Sequence, residues 1–245
     1  MLVMAAVVFC CLYFVKAGYG MFRTKQWGLS IDNKLAWILM EAPAFVMMIA
    51  VWCASDQHSR ALPAAIALLL MFELHYAQRS FVFPLLMKGK SKMPVAIMLM
   101  GVVFNTINAL LIGAYTFNGV NARYETLGTS YFLEWNFLLG VVVFLLGMAI
   151  NWHSDHVIRH LRKPGDTRHY LPAKGMYRYV TSGNYFGELL EWTGFAIAAA
   201  HPAGWVFVIW TAANLVPRAH AIHKRYRQEF GDAVGNRKRI IPFIY

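Results

Sequence analysis

Between Asn151 and Trp192 the sequence NWHSDHVIRHLRKPGDTRHYLPAKGMYRYVTSGNYFGELLEW gathers Asn, Asp, His, Arg, Tyr and Glu beside two strongly apolar runs. Ionisable groups held near hydrocarbon are costly unless they pair or bind something charged, so such a cluster is a functional candidate. The residue types suit a ligand that carries phosphate and adenine: Arg for phosphates, Asn for amides and bases, carboxylates for ribose hydroxyls. Asn151, Asp155, Arg159 and Arg162 follow one another at intervals of four, four and three, which predicts one face of a helix continuing out of an apolar span. Lys163-Pro164-Gly165-Asp166 then predicts its end, since Pro cannot continue a helix and Gly permits a turn. Such a face is either a salt-bridged, snorkelling helix end or a diphosphate clamp with Arg162 as the phosphate partner, and the depth of the charges favours the clamp. No G-x-G-x-x-G occurs, which excludes a Rossmann domain as the holder of a dinucleotide.

A second set recurs in GNYFGELLEW. Asn184, Glu188 and Glu191 place an amide and two carboxylates on one face of a helix within an apolar span. They either pair with arginines as a structural network or hold ligand hydroxyls and amides, and two carboxylates on an apolar helix favour the ligand. Gly187 and Gly194 would let another helix or a flat ring come close. Arg218, His223, Arg225 and Tyr226 close the last apolar run, where an interfacial aromatic–basic belt explains them as well as a ligand does. Glu41, in AWILMEAPAF, and Tyr76, in MFELHYAQRSFVF with His75 and Arg79 beside it, also lie deep in apolar surroundings. Singly, Glu41 could pair with Arg79 and Tyr76 could be packing with a satisfied hydroxyl. Jointly they predict a proton-donating pair: a Tyr hydroxyl polarised by an acid hydrogen-bonds a substrate carbonyl and stabilises a developing enolate.

The elements that hold these residues follow from composition. Of the 245 residues 58% are apolar and 14% charged, and mean hydropathy is +0.44, which places the chain among integral membrane proteins. Hydropathy predicts about seven spans, over residues 1–20, 35–53, 61–87, 93–117, 131–151, 183–201 and 203–221. The first carries no basic leader region and reads as an uncleaved span. The last two, divided by His201-Pro202, read as a tight helical hairpin. The net charge of +11 is unevenly spread. Arg23, Lys25 and Lys34 lie in the first loop and Lys88, Lys90 and Lys92 in the third. The fifth loop and the tail are richer still, whereas the second and fourth loops hold Arg60 and Arg123 alone. The positive-inside rule then puts the N-terminus outside and the C-terminus in the cytoplasm, so part of the basicity is topogenic rather than a sign of nucleic acid, while the fifth loop and tail exceed what topology needs on the side where nucleotides are found. Cys10, Cys11 and Cys53 lack metal spacing and read as inert packing residues; no metal site is expected.

With these residues assembled, the chain resembles the steroid 5α-reductase family. The likeness runs from AWILMEAPAF to the terminal RKRIIPFIY and rests on N-HSD--IR-LRKPGD, on YV---NYFGE--EW and on RK--IPF-Y in combination. It implies an all-α integral membrane enzyme of seven transmembrane helices that uses NADPH to reduce a carbon–carbon double bond conjugated to a ketone, with 3-oxo-Δ4-steroids as preferred substrates. By that resemblance residues 1–245 form one domain, roughly 1–130 the substrate-binding half and 131–245 the cofactor-binding half. Glu41 and Tyr76 match the pair that holds the substrate ketone. Asn151, Asp155, Arg162, Asn184, Glu188, Arg218 and Tyr226 match NADPH-contacting positions, and Arg79 a basic cofactor contact. Trp37 and the apolar face around Trp210 match the sterol pocket. Some positions depart: the Tyr after the KPG turn is His169 here, with Tyr170 beside it. Of two histidines before the final Tyr only His223 remains, and Asn214 replaces a pocket aromatic. The resemblance implies a steroid or sterol-like lipid in a bilayer, the cytoplasmic membrane if the chain is bacterial, with no obligate protein partner. Rival readings are a polytopic reductase of enoyl thioesters, polyprenols or sterols, a membrane methyltransferase holding S-adenosylmethionine, and a seven-helix transporter or receptor.

Overall fold

Proline, aspartate and glycine set the limits of most helices in this chain. The computed structural model describes every residue except Lys16, Ala17, Tyr19, Arg23, Lys90, Gly119, Val120, Asn121, Pro164, Gly165 and Thr167, and leaves out the side chains of Lys25 and Ala122. The loop charges Arg23 and Lys90 and the Pro164-Gly165 turn therefore lie outside the described residues. The helices are α1 (Leu2–Phe14), α2 (Asn33–Ala54), α3 (Gln57–Ala61), α4 (Pro63–Ala77), α5 (Phe83–Leu86), α6 (Val95–Phe117), α7 (Ala122–Leu127), α8 (Trp135–Arg159), α9 (Gly183–Ala199) and α10 (Pro202–Phe230). They fall into two compact units. Unit one comprises Met1–Lys16, Val141–Gly194 and Trp205–Tyr245; unit two comprises Ala17–Gly140 and Phe195–Gly204.

The protein is mostly helical. Helix lies within each of the seven apolar segments, over Leu2–Phe14 in the first, and among the described residues α2, α6 and α8 are by themselves long and apolar enough to cross a membrane. Leu70 on α4, Val103 on α6 and Val142 on α8 are among many large apolar side chains left exposed, a surface compatible with lipid. The three cysteines are free and exposed rather than packed inside.

In unit two a small β clasp, absent from the all-helical expectation, starts two helices. Strand β1 (Ser30–Asp32) pairs antiparallel with β2 (Lys92–Pro94), Ile31 opposite Met93. Asp32 caps α2 by accepting from the backbone N–H of Lys34 at 2.9 Å and Leu35 at 3.2 Å. Helix α6 begins directly after Pro94. The two helices run side by side in the same direction, with Gly101 against Met40 and Gly113 against Met48 and Val51. Gly101, Asn105, Ala109 and Gly113, four residues apart, form the α6 stripe that admits α2 this closely. Helix α4 runs the opposite way. Ser55 bonds Asn118 and His58 meets Glu125 at one end, while Lys34 reaches the Leu85 carbonyl at the other.

The span over 61–87 is one helical path with a defect. Gln78–Val82 is π-helical, between α4 and α5. Pro84 has no N–H for the Ser80 carbonyl and its ring crowds that carbonyl, so the winding widens just before it. At the other end of the unit, the last carbonyls of α9 are closed by side chains. Tyr131 and Tyr124 donate to Ala198 and Ala199 at 2.6 and 2.5 Å, and Asn136 to Ile197 at 3.4 Å. The expected His201-Pro202 corner follows. His201 Nδ1 accepts from the Gly204 N–H at 3.2 Å, so its Nε2 carries the proton and donates to Thr116 Oγ1 at 3.3 Å. Pro202 sits in the first turn of α10, where its missing N–H costs nothing.

In unit one α8 and α9 cross antiparallel with backbone against backbone. A Cβ on Gly187 would lie 2.4 Å from Asn151 N and 2.8 Å from Gly147 O, and one on Gly147 would lie 2.3 Å from Glu191 N. The tail binds the entry to α9 and packs on α10. Thr181 and Ser182 N–H donate to the Lys238 and Arg239 carbonyls at 2.9 and 3.1 Å, and Ile240 packs with Leu215 and Ala219. Gly187→Val should therefore be among the most damaging single changes in this unit. Two backbones cannot yield as a side chain would, so the loss should reach or exceed the roughly 1–3 kcal/mol usual for overpacking. A thermal melt of the detergent-solubilised protein checks it, and a melting point within error of wild type would contradict the crossing.

Candidate active site

In unit two the expected donor pair is joined by a residue that sequence reasoning passed over. Asn105 lies buried on α6, with its amide Nδ2 donating to the Met40 carbonyl at 2.8 Å and to Glu41 Oε2 at 3.1 Å. Its Oδ1 accepts from the Tyr76 hydroxyl at 3.4 Å. One carboxamide thus ties α2, α4 and α6 together and holds Glu41 and Tyr76 in a single cluster. Pro43 lies two residues beyond Glu41 in α2. Lacking an N–H, it leaves Leu39 without the usual helical donor, and the carbonyl that Asn105 binds is the next one along α2. Tyr76 is 2% exposed, with Phe72 tilted against it and His75 edge-on to it at ring-centre distances of 4.6 and 5.0 Å. The hint in the sequence was an Asn at a four-residue interval between Gly101 and Ala109 on an otherwise apolar helix.

Arg79 sits in the π-helical turn, also buried, with its guanidinium 4.8 Å from the Trp37 ring centre and 4.4 Å from that of Phe83. The expected cofactor arginine and the expected pocket aromatic are therefore direct neighbours, both in the unit that carries Glu41 and Tyr76. The other two pocket residues lie in unit one on α10. Trp210 is buried and its indole N–H donates to the Met1 carbonyl at 3.1 Å, whereas Asn214 is exposed.

Unit one brings together much of the expected cofactor set. Asn151 and Asp155, both buried on α8, face Asn184 on the first turn of α9. Asn151 Nδ2 donates to the Asn184 carbonyl at 2.9 Å, Asn184 Nδ2 donates to Asp155 Oδ1 at 3.2 Å, and the Tyr177 hydroxyl donates to Asn184 Oδ1 at 3.2 Å. Tyr177 is almost wholly buried, which pushes its phenol well above the usual range and keeps it a donor. Glu188 continues the same face half-buried, and Glu191 is 1% exposed at the Gly147 crossing. On α10 the Arg218 Nε donates to the Tyr185 hydroxyl at 2.7 Å. His223 lies near Thr181 Oγ1 at 3.3 Å and is pulled below its ordinary pKa by burial and then by Arg239. Burial pushes the Tyr226 phenol up to about 12.

One element differs from expectation. Helix α8 stops at Arg159, so Arg162 does not share the face of Asn151 and Asp155 but stands exposed in the bend that follows. Pro164 offers no N–H to the His160 carbonyl and disfavours helical geometry at Lys163, so the last expected turn unwinds. Beyond it the two candidates for one position take different partners. The Tyr170 hydroxyl donates to Asp166 Oδ2 at 2.6 Å, while His169 Nδ1 is 2.9 Å from Glu229 Oε1, with Arg225 alongside. Arg168 and then Tyr170 hold the Asp166 carboxyl well below the usual carboxylate range.

At the first turn of α9 the Ser154 and Ser182 hydroxyls are buried without a hydrogen-bond partner among the described residues. Ser182 carries the first carbonyl of the helix, which accepts from the Phe186 N–H at 3.1 Å, yet its hydroxyl makes no capping bond. Orphaned donors beside a helix N-terminus, two asparagines and an aspartate fit a ligand with phosphate and hydroxyl oxygens.

The family model described as 3-oxo-5-alpha-steroid 4-dehydrogenase matches residues 91–245. A protein named 3-oxo-5-alpha-steroid 4-dehydrogenase 1 from Bos taurus is 35% identical over 98% of this chain and 93% of its own length. One named 3-oxo-5-alpha-steroid 4-dehydrogenase 2 from Sus scrofa is 36% identical over 99% of this chain and 94% of its own. The chain belongs to the 3-oxo-5-alpha-steroid 4-dehydrogenase family. The likeness crosses kingdoms, since a protein of Gossypium hirsutum named steroid 5-alpha-reductase DET2 is 33% identical over 99% of the chain and 94% of its own length. Membership makes the chain an oxidoreductase, and the apolar helices suit a member that works in a membrane.

The loop after α8 yields a pH test. The bond to Asp166 is the largest cause raising Tyr170 above its ordinary pKa of 10.0. Because that raised value favours the neutral phenol, the bond is intact below pH 10 and is lost as pH rises through the folded value. Asp166→Asn should lower the Tyr170 ionisation toward the ordinary range, read as tyrosinate absorbance against a Tyr170→Phe blank; an unmoved titration would contradict the pairing.

Proposed function

We propose that the chain reduces the conjugated double bond of 3-oxo-Δ4-steroids to the 5α-reduced ketone, with NADPH as reductant, from within a membrane that it spans seven times. Support for the reaction comes from the names of its relatives and above all from the Tyr76–Asn105–Glu41 cluster, a preorganised set of hydrogen-bonding groups in apolar surroundings. Support for seven spans with a cytoplasmic C-terminus comes from the apolar helices together with the basic first, third and fifth loops and tail.

Asn151, Asp155, Asn184, Glu188, Arg218 and Tyr226 would hold the cofactor, with the Ser154 and Ser182 hydroxyls at the first turn of α9 available to its oxygens. Arg162, exposed in the bend after α8, would meet phosphate, and His169, Tyr170, His223 and Arg79 complete the assigned contacts. When bound, the cofactor supplies a hydride for the β-carbon of the enone, carbon 5 of a steroid. The protein's part is to orient the substrate and to receive charge. As electron density moves to the ketone oxygen, Tyr76 turns its hydroxyl from Asn105 to that oxygen and Glu41, in its protonated form, donates beside it. Asn105 keeps both side chains in place, so the heavy atoms stay fixed and only the Tyr76 hydroxyl proton reorients as charge develops. Buried apolar walls exclude water, which strengthens both bonds.

Tyr76→Phe tests this reading. It keeps the ring and its stacking but deletes the donor, and the loss of one such donor costs on the order of a hundredfold or more in rate. NADPH consumption with an enone steroid should fall accordingly while NADPH binding stays close to wild type. Glu41→Gln should be milder than Glu41→Ala, because an amide still donates. Wild-type turnover by Tyr76→Phe would remove the cluster from the mechanism.

A further inference from the structure

One turn away from the Tyr76–Asn105–Glu41 cluster, α4 and α6 carry two polar side chains that the mechanism leaves unused. Glu73 is three residues before Tyr76, and Asn108 three residues after Asn105. Because the two helices run in opposite directions, both steps lead the same way, and the two residues share a level roughly 4.5 Å along the helix axes. Asn108 is 0% exposed. Both oxygens of Glu73 and both polar atoms of Asn108 are buried without a hydrogen-bond partner among the described residues. On α2, which runs parallel to α6, the register that matches Glu41 with Asn105 brings the small, buried Ala44 to this level.

Such a layer is an expensive way to build a core. Orphaned polar atoms cost stability each, while apolar side chains of the same shape would cost none. At one level of the bundle, a carboxyl and a carboxamide offer a donor and acceptors. The guest that uses both is a hydroxyl, which accepts from the Asn108 N–H and donates to a Glu73 oxygen. A ketone could only accept, and would leave both oxygens of Glu73 unmet.

We propose that Glu73 and Asn108 form a second polar subsite that takes a hydroxyl of the substrate, on a carbon close to the reacting ketone. The inference rests on the enone-steroid reading above and narrows its substrate class to hydroxylated members. The subsite is a specificity element and takes no part in hydride or proton transfer.

The test measures binding and turnover separately. Wild-type protein in detergent is titrated with a parent 3-oxo-Δ4-steroid lacking hydroxyls and with isomers bearing one hydroxyl at successive ring positions, read by quenching of tryptophan fluorescence. One isomer should bind about tenfold more tightly than the parent, the worth of a well-made buried hydrogen bond. Glu73→Leu and Asn108→Leu should each erase that preference and leave parent binding unchanged. Their melting points should hold or rise, because each removes an orphaned group. The proposal is overturned if no isomer is preferred, which includes a layer that holds water only, or if the preference survives both changes. It is equally overturned if both variants melt several degrees lower, since the pair would then be a structural network. Should the parent bind without being reduced by NADPH, the reductase reading fails, while the isomer preference still decides the subsite.

Discussion

A single carboxamide inside an apolar bundle constrains half of this protein. The Asn105 amide has two N–H groups and one oxygen, and all are spent on different helices or different functional groups: the Met40 carbonyl, Glu41 and the Tyr76 hydroxyl. In hydrocarbon or a dry core no water substitutes for a lost partner, so each bond is worth more and each failure costs more than at a surface. The close approach of α2 and α6 at Gly101 and Gly113 exists to let that amide reach across. The β clasp that starts both helices sets their register, and the π-helical turn before Pro84 follows directly after the stretch of α4 that carries Tyr76. These features share one end, an unpaired-looking polar cluster whose members are in fact held at fixed mutual positions.

The other unit solves a similar problem with backbone. Where Gly147 and Gly187 meet, α8 and α9 touch without side chains between them, which brings Asn151 and Asp155 against Asn184. The short parallel bridge from Val180 to Lys238, with the tail folded over Leu215 and Ala219, fixes the entry into α9. That entry is where buried serine hydroxyls wait beside a helix N-terminus, so the terminal RKRIIPFIY supports the proposed cofactor residues from outside their own helices.

Much of this was legible in the residues alone, because polar groups on apolar helices stand out at helical spacing. Asn184, Glu188 and Glu191 share a face as their intervals of four and three require, and Gly187 does admit a neighbouring helix. The His201-Pro202 corner was equally plain, since Pro in the first turn of a helix is at home there. Arg162 was misplaced because spacing extends a helix until something stops it, and the unwinding imposed by Pro164 begins before the proline. Asn105 escaped notice because its partners are a backbone carbonyl and two side chains from other helices, which no pattern along α6 reveals. Glu73 and Asn108 escaped for the same reason: their shared level depends on the antiparallel course of α4 and α6. Arg79 was visible as a cation, but its place against the Trp37 and Phe83 rings depends on a π-helical turn that hydropathy does not report.

The central claim, that electrons pass as hydride to the β-carbon of an enone held at its ketone, is tested most directly by isotope. NADPH carrying deuterium on the transferred face of its nicotinamide, incubated with purified protein and a 3-oxo-Δ4-steroid, should give a 5α-reduced ketone with deuterium on carbon 5. The proton at the α-carbon should come unlabelled from water. A reduced product without deuterium at carbon 5, or with the label at the α-carbon, would contradict the account.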